Sequence, residues 1–157
     1  RPTEVEAVVL VGDFAVVDDD RRAFAIMASR KPSADLTASG YPFYAGKARF
    51  TARFRLDRAA SSLCLSGVNA ACVRLRVDGR DAGVRYWAPW RYDVDLSPGE
   101  HVVEAVVSAT LFNLTGPQWI ADILKDVSIN PYTFVTFERY NGKQTLLPFG
   151  LNGLAVY

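Results

Sequence analysis

Apolar and charged residues alternate along several stretches of this chain. From Ala48 to Leu56 every second residue is apolar, and the residues between them are three arginines and a threonine. The same alternation runs through Val73–Val77, Tyr92–Leu96 and Val103–Ala109. Successive side chains of a strand point to opposite faces, so these four segments are predicted to be half-buried β-strands. Weaker strand patterns are Val5–Val11, Phe24–Met27, Ser62–Ser66, Tyr132–Phe137, Thr145–Leu147 and Leu154–Tyr157.

Turn signals separate these segments. Each signal contains a glycine, which tolerates positive φ, and the second also has a proline that fixes φ: they are Asp78-Gly79, Ser97-Pro98-Gly99-Glu100 and Asn141-Gly142. About nine to eleven short strands joined by such turns are typical of an antiparallel β-sandwich or jelly roll. One short helix is predicted at Pro117–Lys125, with Thr115 as its cap. The predicted fold class is all-β, in a single domain of residues 1–157.

The composition excludes some classes of function but does not indicate a particular one. Lys and Arg total 18 against 17 Asp and Glu, a net charge of +1, which gives no field for nucleic acid or an anionic membrane. The apolar runs are too short to span a bilayer. The chain begins at Arg1 without a methionine or a signal-peptide pattern, so we expect a fragment or processed product of a larger multidomain protein. Its compartment stays open between extracellular, periplasmic and cytoplasmic.

Few residues carry the pattern of a catalytic or metal site. His101 is the single histidine and stands where a turn feeds a strand, so it is predicted to lie at the surface. Cys64 and Cys72 have apolar neighbours and are interpreted as buried thiols, with a disulfide as the alternative. Asp18–Asp20 indicates a solvated loop, with a structural calcium ion as the alternative. No cofactor is predicted, because the glycines match no phosphate or dinucleotide motif.

A pair of carboxylates would suffice for a glycosidase, so a free-standing hydrolase or lyase remains an alternative. Such a pair would be drawn from Asp13, Asp18, Asp81 and Asp122.

The tryptophans divide by strand parity. Trp90 shares the parity of Tyr92 and is assigned to the core, whereas Trp87 is predicted to point outward. Tyr86 and Trp87 fall in a connection, and Trp119 falls on the predicted helix. Exposed aromatic rings either stack on sugar rings or pack against another domain, and the sequence leaves both readings open.

Five arginines lie at alternating positions of two predicted strands, on the side that faces outward. Arg49, Arg53 and Arg55 lie on the outward parity of one predicted strand, and Arg74 and Arg76 on that of another. Asp93, Asp95 and Glu104 hold the outward positions of other strands. Like charges facing each other across strands are unfavourable, so either acidic strands neighbour the basic ones or the arginine face docks an acidic surface.

Several motifs resemble one family. Val77-Asp78-Gly79-Arg80-Asp81-Ala82-Gly83 is similar to a "V-N-G-x-x-x-G" hairpin, and Trp87–Trp90 with Asp93–Leu96 is similar to a "P-F-x-x-D-I-T" strand. Gly40–Gly46, Pro98–His101, Leu111–Pro117 and Leu147–Leu151 fit the same order. Together they resemble the galactose-binding-like jelly rolls of bacterial glycosidases, including the sugar-binding domain of glycoside hydrolase family 2. Asp78 replaces the usual Asn and Trp90 the usual Phe, and both suit the fold.

This resemblance implies a non-catalytic domain, because the catalytic carboxylates of such enzymes belong to a separate barrel. The first prediction is a carbohydrate-binding or accessory domain of a bacterial glycoside hydrolase. Its partners would be carbohydrate or the parent catalytic domain. The alternative is a purely structural module that braces that domain and binds no sugar. The candidate sugar-binding residues are Phe43, Tyr44, Asp81, Tyr86, Trp87, Asn113 and Trp119.

Overall fold

The fold is all-β. A computed structural model describes residues 10–19, 23–115 and 146–157. The alternating sequence pattern produces nine antiparallel strands in that part of the chain, arranged in three sheets. The strands are β1 Phe14–Asp19, β2 Ala23–Ala28, β3 Lys47–Leu56, β4 Ala60–Ser66, β5 Cys72–Val77, β6 Arg80–Arg85, β7 Arg91–Leu96, β8 Gly99–Ser108 and β9 Gly153–Val156.

Two of the sheets form a sandwich. The four-stranded sheet has the order β3-β8-β5-β6, the three-stranded sheet has the order β7-β4-β9, and β1 and β2 form a separate hairpin. The apolar parity of each strand faces the space between the two larger sheets, because that is where its surface leaves water. Buried residues from both sheets share this core, and they include Leu63, Leu65, Val73, Leu75, Tyr92, Leu96, Val103 and Val107.

The chain crosses between the two sheets at most of its connections. Only β5 and β6 are consecutive neighbours within the four-stranded sheet. Asp78 and Gly79 join them with φ values of 50° and 77°, the left-handed pair that a two-residue hairpin turn requires. The crossing connections bring the β5–β6 turn close to the turn that precedes β8, where Asp78 N–H donates to the carbonyl of Val102.

The four strong strand predictions are confirmed as β3, β5, β7 and β8, although β8 begins four residues earlier than expected. Phe24–Met27, Ser62–Ser66 and Leu154–Tyr157 correspond to β2, β4 and β9. The sequence reading missed β1 and β6. Residues 146 and 147 are not in a strand, so the prediction at Thr145–Leu147 is wrong for them. Tyr132–Phe137, most of Val5–Val11 and the Asn141-Gly142 turn lie outside the described residues.

One helix lies in the described part of the chain, α1, which spans Phe112–Thr115 and ends at Thr115. The predicted helix at Pro117–Lys125 lies outside the described residues. No helix in the described part of the chain has the length and apolarity needed to cross a bilayer.

Three side-chain predictions can be compared with the structure. Trp90 packs against the core as predicted, and both cysteines are free thiols in half-buried positions. Of the proposed acidic neighbours, only Glu104 adjoins the arginines, and its carboxylate lies 3.6 Å from Arg49. Asp93 and Asp95 are on β7, in the other sheet, so the cross-strand charge pairing is confirmed for Glu104 alone.

Candidate functional site

A cavity of about 310 Å³ opens at one end of the sandwich. We call it the loop cavity. Apolar and polar side chains share its wall, which is the usual composition of a small-molecule site, and its volume is at the small end of such sites. Its lining residues are Tyr44, Val68, Asn69, Ala70, Ala109, Thr110, Asn113, Leu147, Pro148 and Phe149.

Backbone pairing holds the cavity wall in place. Gly150 exchanges two backbone hydrogen bonds with Asn69, at 3.0 Å each, and Leu151 N–H donates to the carbonyl of Ala34. Gly150 has a φ of 155°, and a Cβ atom there would overlap the Ala34 carbonyl. Glycine is therefore the residue that lets the segment entering β9 lie between the two loops.

Tyr44 is the one aromatic residue among the predicted site residues of the described chain that lines this cavity. Its ring stacks on that of Phe149, with the ring centroids 5.9 Å apart and the planes inclined by 24°. Its hydroxyl donates to the carbonyl of Lys47 at 2.7 Å, which fixes the ring orientation. Phe43 is half-buried and points to a different neighbour, packing edge-to-face on Phe24 with centroids 5.0 Å apart.

Asn113 lines the same cavity but is 6% exposed. Its Nδ2 donates to the carbonyl of Leu147 and its Oδ1 accepts from the Leu147 N–H, both at 2.8 Å. The Thr37 hydroxyl donates to the same carbonyl at 3.0 Å. The Asn113 amide therefore works first as a clamp that positions the Leu147 segment against α1.

A second cavity, of about 400 Å³, lies at the hairpin end of the four-stranded sheet. We call it the acidic cleft, because Asp78, Asp81, Asp93 and Asp95 line it, together with Arg80 and His101. His101 is 7% exposed, so its predicted surface position is wrong. It shares the parity of Val103 and Ala105, and that parity turns it inward.

Hydrogen bonds account for the buried histidine. His101 Nδ1 lies 2.7 Å from Asp78 Oδ2, and Nε2 lies 2.8 Å from the carbonyl oxygen of Ser97. The hydrogen bond to Asp78, followed by that to Ser97, raises the pKa of His101. The same contact with His101, and then the Val102 N–H, lowers the pKa of Asp78.

Asp81, which also lines this cleft, is already engaged by an arginine. Its carboxylate accepts from the Arg74 guanidinium at 2.7 Å and 3.2 Å, and the hydrogen bond from Arg74 is the main cause of its lowered pKa. A glycosidase general acid needs a raised pKa. The pKa values of Asp78 and Asp81 are both lowered, which is the opposite of what that role requires. Within the described ranges, no cluster of three or more His, Cys, Asp and Glu side chains could hold a metal ion.

The other predicted site residues do not join either cavity. Tyr86 and Trp87 are 62% and 75% exposed on the β6–β7 connection, with their ring centroids 6.1 Å apart. The outward direction predicted for Trp87 is confirmed. Trp119 lies outside the described residues, as does Asp122, and the Asp18 side chain is not described. Of the predicted site residues, the structure thus brings Tyr44 and Asn113 to one cavity and places Phe43, Asp81 and the Tyr86–Trp87 pair elsewhere.

Two polar residues of the loop cavity escaped the sequence reading. Asn69 and Thr110 stand in connections beside β5 and β8, without any motif around them. Their one sequence signal is position, since each lies within three residues of a strong strand, in a connection at a sheet end, where binding residues concentrate.

Comparison with known proteins finds similarity among solved structures only. No protein-family model and no curated protein matches the sequence. Among solved structures, the rhamnosidase from Novosphingobium sp. PP1Y is similar, with a TM-score of 0.51 and 25% identity over 98% of this chain. A GH2 β-galacturonidase from Eisenbergiella tayi bound to glycerol gives a TM-score of 0.42 and 22% identity over 62% of this chain.

Both of these neighbours are glycoside hydrolases, and each is much longer than this chain. The chain spans about 15% of the length of the rhamnosidase and about 17% of the galacturonidase. What the comparison shows is therefore that this β-sandwich is similar, along almost its whole length, to one segment of a glycoside hydrolase.

Proposed function

We propose that this chain is a non-catalytic accessory domain of a glycoside hydrolase, with a galactose-binding-like jelly-roll fold. The single observation that carries the proposal is the likeness of nearly the whole chain to a segment of the Novosphingobium rhamnosidase, at 25% identity. The catalytic apparatus of the parent enzyme would belong to the rest of that longer protein.

The loop cavity is the proposed carbohydrate site. Sugar rings have an apolar face that packs on aromatic rings, and hydroxyls that exchange hydrogen bonds with amides and other hydroxyls. Tyr44 and Phe149 offer the aromatic surface, while the Asn69 amide and the Thr110 hydroxyl offer the polar partners. The cavity volume of about 310 Å³ suits one or two sugar rings.

In this proposal the lining residues have different roles. Tyr44 contacts the sugar, whereas Asn113 is a positioning residue, because its amide is already bonded to Leu147. We expect weak affinity, with a Kd on the order of 0.1–1 mM, since the cavity is small and can bury only part of a sugar.

The test is a glycan-array screen of the chain, followed by calorimetric titration of each hit. Tyr44→Ala should abolish binding and Tyr44→Phe should retain it, because phenylalanine keeps the ring and loses only the bond to Lys47. Trp87→Ala is the control at a different surface and should leave affinity unchanged. Binding that survives Tyr44→Ala and fails in Trp87→Ala would move the site to the β6–β7 connection.

A second candidate function is structural bracing of the parent catalytic domain. The observation that favours it is the exposed Tyr86–Trp87 pair, since tyrosine and tryptophan are enriched at the centres of protein interfaces. This function predicts silence across the glycan array. It also predicts that Trp87→Ala lowers the melting temperature of the full-length parent enzyme and leaves that of the isolated chain unchanged.

A further inference from the structure

The outer face of the four-stranded sheet is unusually rich in arginine. Three residues of β3 and two of β5 point outward there, on either side of the central strand β8. We call this surface the arginine face, and its arginines are Arg49, Arg53, Arg55, Arg74 and Arg76.

Strand register sets the spacing of these cations. Val106 lies between Arg49 and Arg74, and Glu104 lies between Thr51 and Arg76. The arginines of β3 and β5 are therefore about 10 Å apart across β8, and about 7 Å apart where two of them follow along one strand. The result is a flat array of guanidinium groups rather than a pocket.

Carboxylates on the face neutralise only part of this charge. Arg49 lies 3.6 Å from Glu104, and Arg74 lies 2.7 Å from Asp81. No described carboxylate oxygen lies within 4.0 Å of the guanidinium of Arg53, Arg55 or Arg76. Six cations, the five arginines and Lys47 of the same strand parity, stand against Glu100, Glu104 and Asp81, so the face carries an excess of three positive charges while the whole chain carries +1.

The shape of the face favours an extended anionic chain over a protein. Protein interfaces depend on large apolar anchors at their centre. Among the exposed large apolar residues of the described chain, Val84 alone lies on the arginine face, opposite Arg74. Guanidinium groups bind carboxylates through two parallel hydrogen bonds, and spaced carboxylates along a polymer can engage several of them together.

We propose that the arginine face binds polysaccharides that carry carboxylates, the polymers of uronic acids. The inference rests on the proposed accessory function in one respect, that the chain meets polysaccharide. It concerns a surface distinct from the loop cavity. The arginine face holds the charged polymer, and the loop cavity holds a neutral sugar ring.

The experiment measures binding of the isolated chain to two polyuronates, alginate and polygalacturonate, and to the same polymers after esterification. We expect binding to at least one polyuronate in about 20 mM salt, loss of that binding on esterification, and marked weakening at about 200 mM salt because screening shortens the reach of exposed charges. No binding to either polyuronate in low salt would overturn the proposal.

Matched variants locate the binding surface. Arg53→Gln with Arg76→Gln should weaken polyuronate affinity by about fivefold, since each removes one exposed ion pair with the polymer. Arg58→Gln with Arg91→Gln removes the same charge from the β3–β4 turn and from β7, outside the arginine face, and should have little effect. Equal loss in both pairs of variants would overturn the assignment to this face.

Two further controls separate the alternatives. Duplex DNA at the same charge concentration should bind more weakly than the polyuronate, and equal binding would reduce the face to a general anion-attracting surface and overturn the proposal. Tyr44→Ala should leave polyuronate binding intact. Failure of the loop cavity and failure of the arginine face are thereby measured separately.

Discussion

His101 and Asp78 form an ion pair that ties the first half of β8 to the β5–β6 turn. The Nδ1–Oδ2 distance is 2.7 Å, while the other ring nitrogen donates to the carbonyl of Ser97 and the other carboxylate oxygen accepts from the Val102 N–H. A carbonyl oxygen accepts and never donates, so Nε2 carries a proton. An ionised Asp78 also accepts, so Nδ1 carries one as well, and the imidazole is positively charged.

The contribution of this pair to the free energy of unfolding should decrease both at high pH and at low pH. The raised pKa of His101 gives stability that is complete below about 6.5 and is lost as pH rises through the folded-state pKa. The lowered pKa of Asp78 gives stability that is present above about 3.8 and is lost as pH falls through the folded-state pKa. The pair is therefore fully effective between about pH 3.8 and 6.5.

Asp78→Asn tests this window, because asparagine tolerates the positive φ and can still accept from Val102. We expect urea unfolding to show the largest stability loss relative to wild type near pH 5, and a smaller loss at pH 9. Asp95→Asn, in the same cleft, is the matched control and should change stability equally at both values. A deficit for Asp78→Asn that grows from pH 5 to pH 9 would contradict the charged pair.

The clamp between Asn113 and Leu147 should be important for stability. Asn113→Ala removes two hydrogen bonds and leaves the Leu147 N–H without the Asn113 acceptor, while the Leu147 carbonyl keeps the Thr37 hydroxyl, so we expect a loss of about 1–3 kcal/mol in the free energy of unfolding. Asn69→Ala, in the same cavity with an exposed side chain, should change it by less than about 0.5 kcal/mol. Chemical denaturation measures both, and similar losses would remove the special role of the clamp.

Tyr92 links the two sheets through a single hydrogen bond. Its side chain is 1% exposed and its hydroxyl donates to the carbonyl of Val73 at 2.8 Å. Tyr92→Phe should cost about 1–2 kcal/mol, because the ring still fills its place while the Val73 carbonyl loses a donor. A cost indistinguishable from zero would show that the inter-sheet bond adds nothing.

Burial raises the pKa of Tyr92 to about 12. The unfolded chain loses this proton near pH 10, so stability should fall as pH rises from 10 through 12. Ultraviolet titration at 295 nm should show a late-ionising tyrosine that disappears in Tyr92→Phe and persists in Tyr157→Phe, which removes an exposed ring.

Trp87 and Trp90 should respond differently to the same substitution. Trp90 packs against the core, and Trp90→Ala should lower the free energy of unfolding by about 2–3 kcal/mol, less than for a fully buried ring. Trp87→Ala should change it by less than about 0.5 kcal/mol, because that ring is exposed. Thermal unfolding of the two variants checks the difference, and comparable destabilisation would contradict the outward position of Trp87.

The strands that could be predicted from the sequence are those whose pattern follows from a single physical rule. Alternation located β3, β5, β7 and β8, because a half-buried strand must place apolar residues at every second position. It missed β6, Arg80–Arg85, whose residues are mostly polar or small and which sits at a sheet edge. An edge strand with a partly exposed inner face carries no clear alternation, so its sequence does not differ from that of a loop.

The candidate site followed a different pattern. Tyr44 and Asn113 were two of seven candidate residues predicted for loops, with no prediction that they lie together, and the structure shows both lining one cavity. The clamp on Leu147 was not foreseen, because Asn113 and Leu147 are 34 residues apart and their pairing depends on how the β9 segment returns to the sandwich. His101 was misplaced for a related reason, since its partner Asp78 lies 23 residues away on a different connection.

The sequence alone determined the strand class, the inward parity of each strong strand and the turn at Asp78-Gly79, because these depend on neighbours within a few residues. Tertiary structure alone decided which sheet each strand joins, which carboxylates meet the arginines, and which side chains line the two cavities. Those choices depend on contacts between distant segments, and the periodicity of a single strand contains no information about its partner.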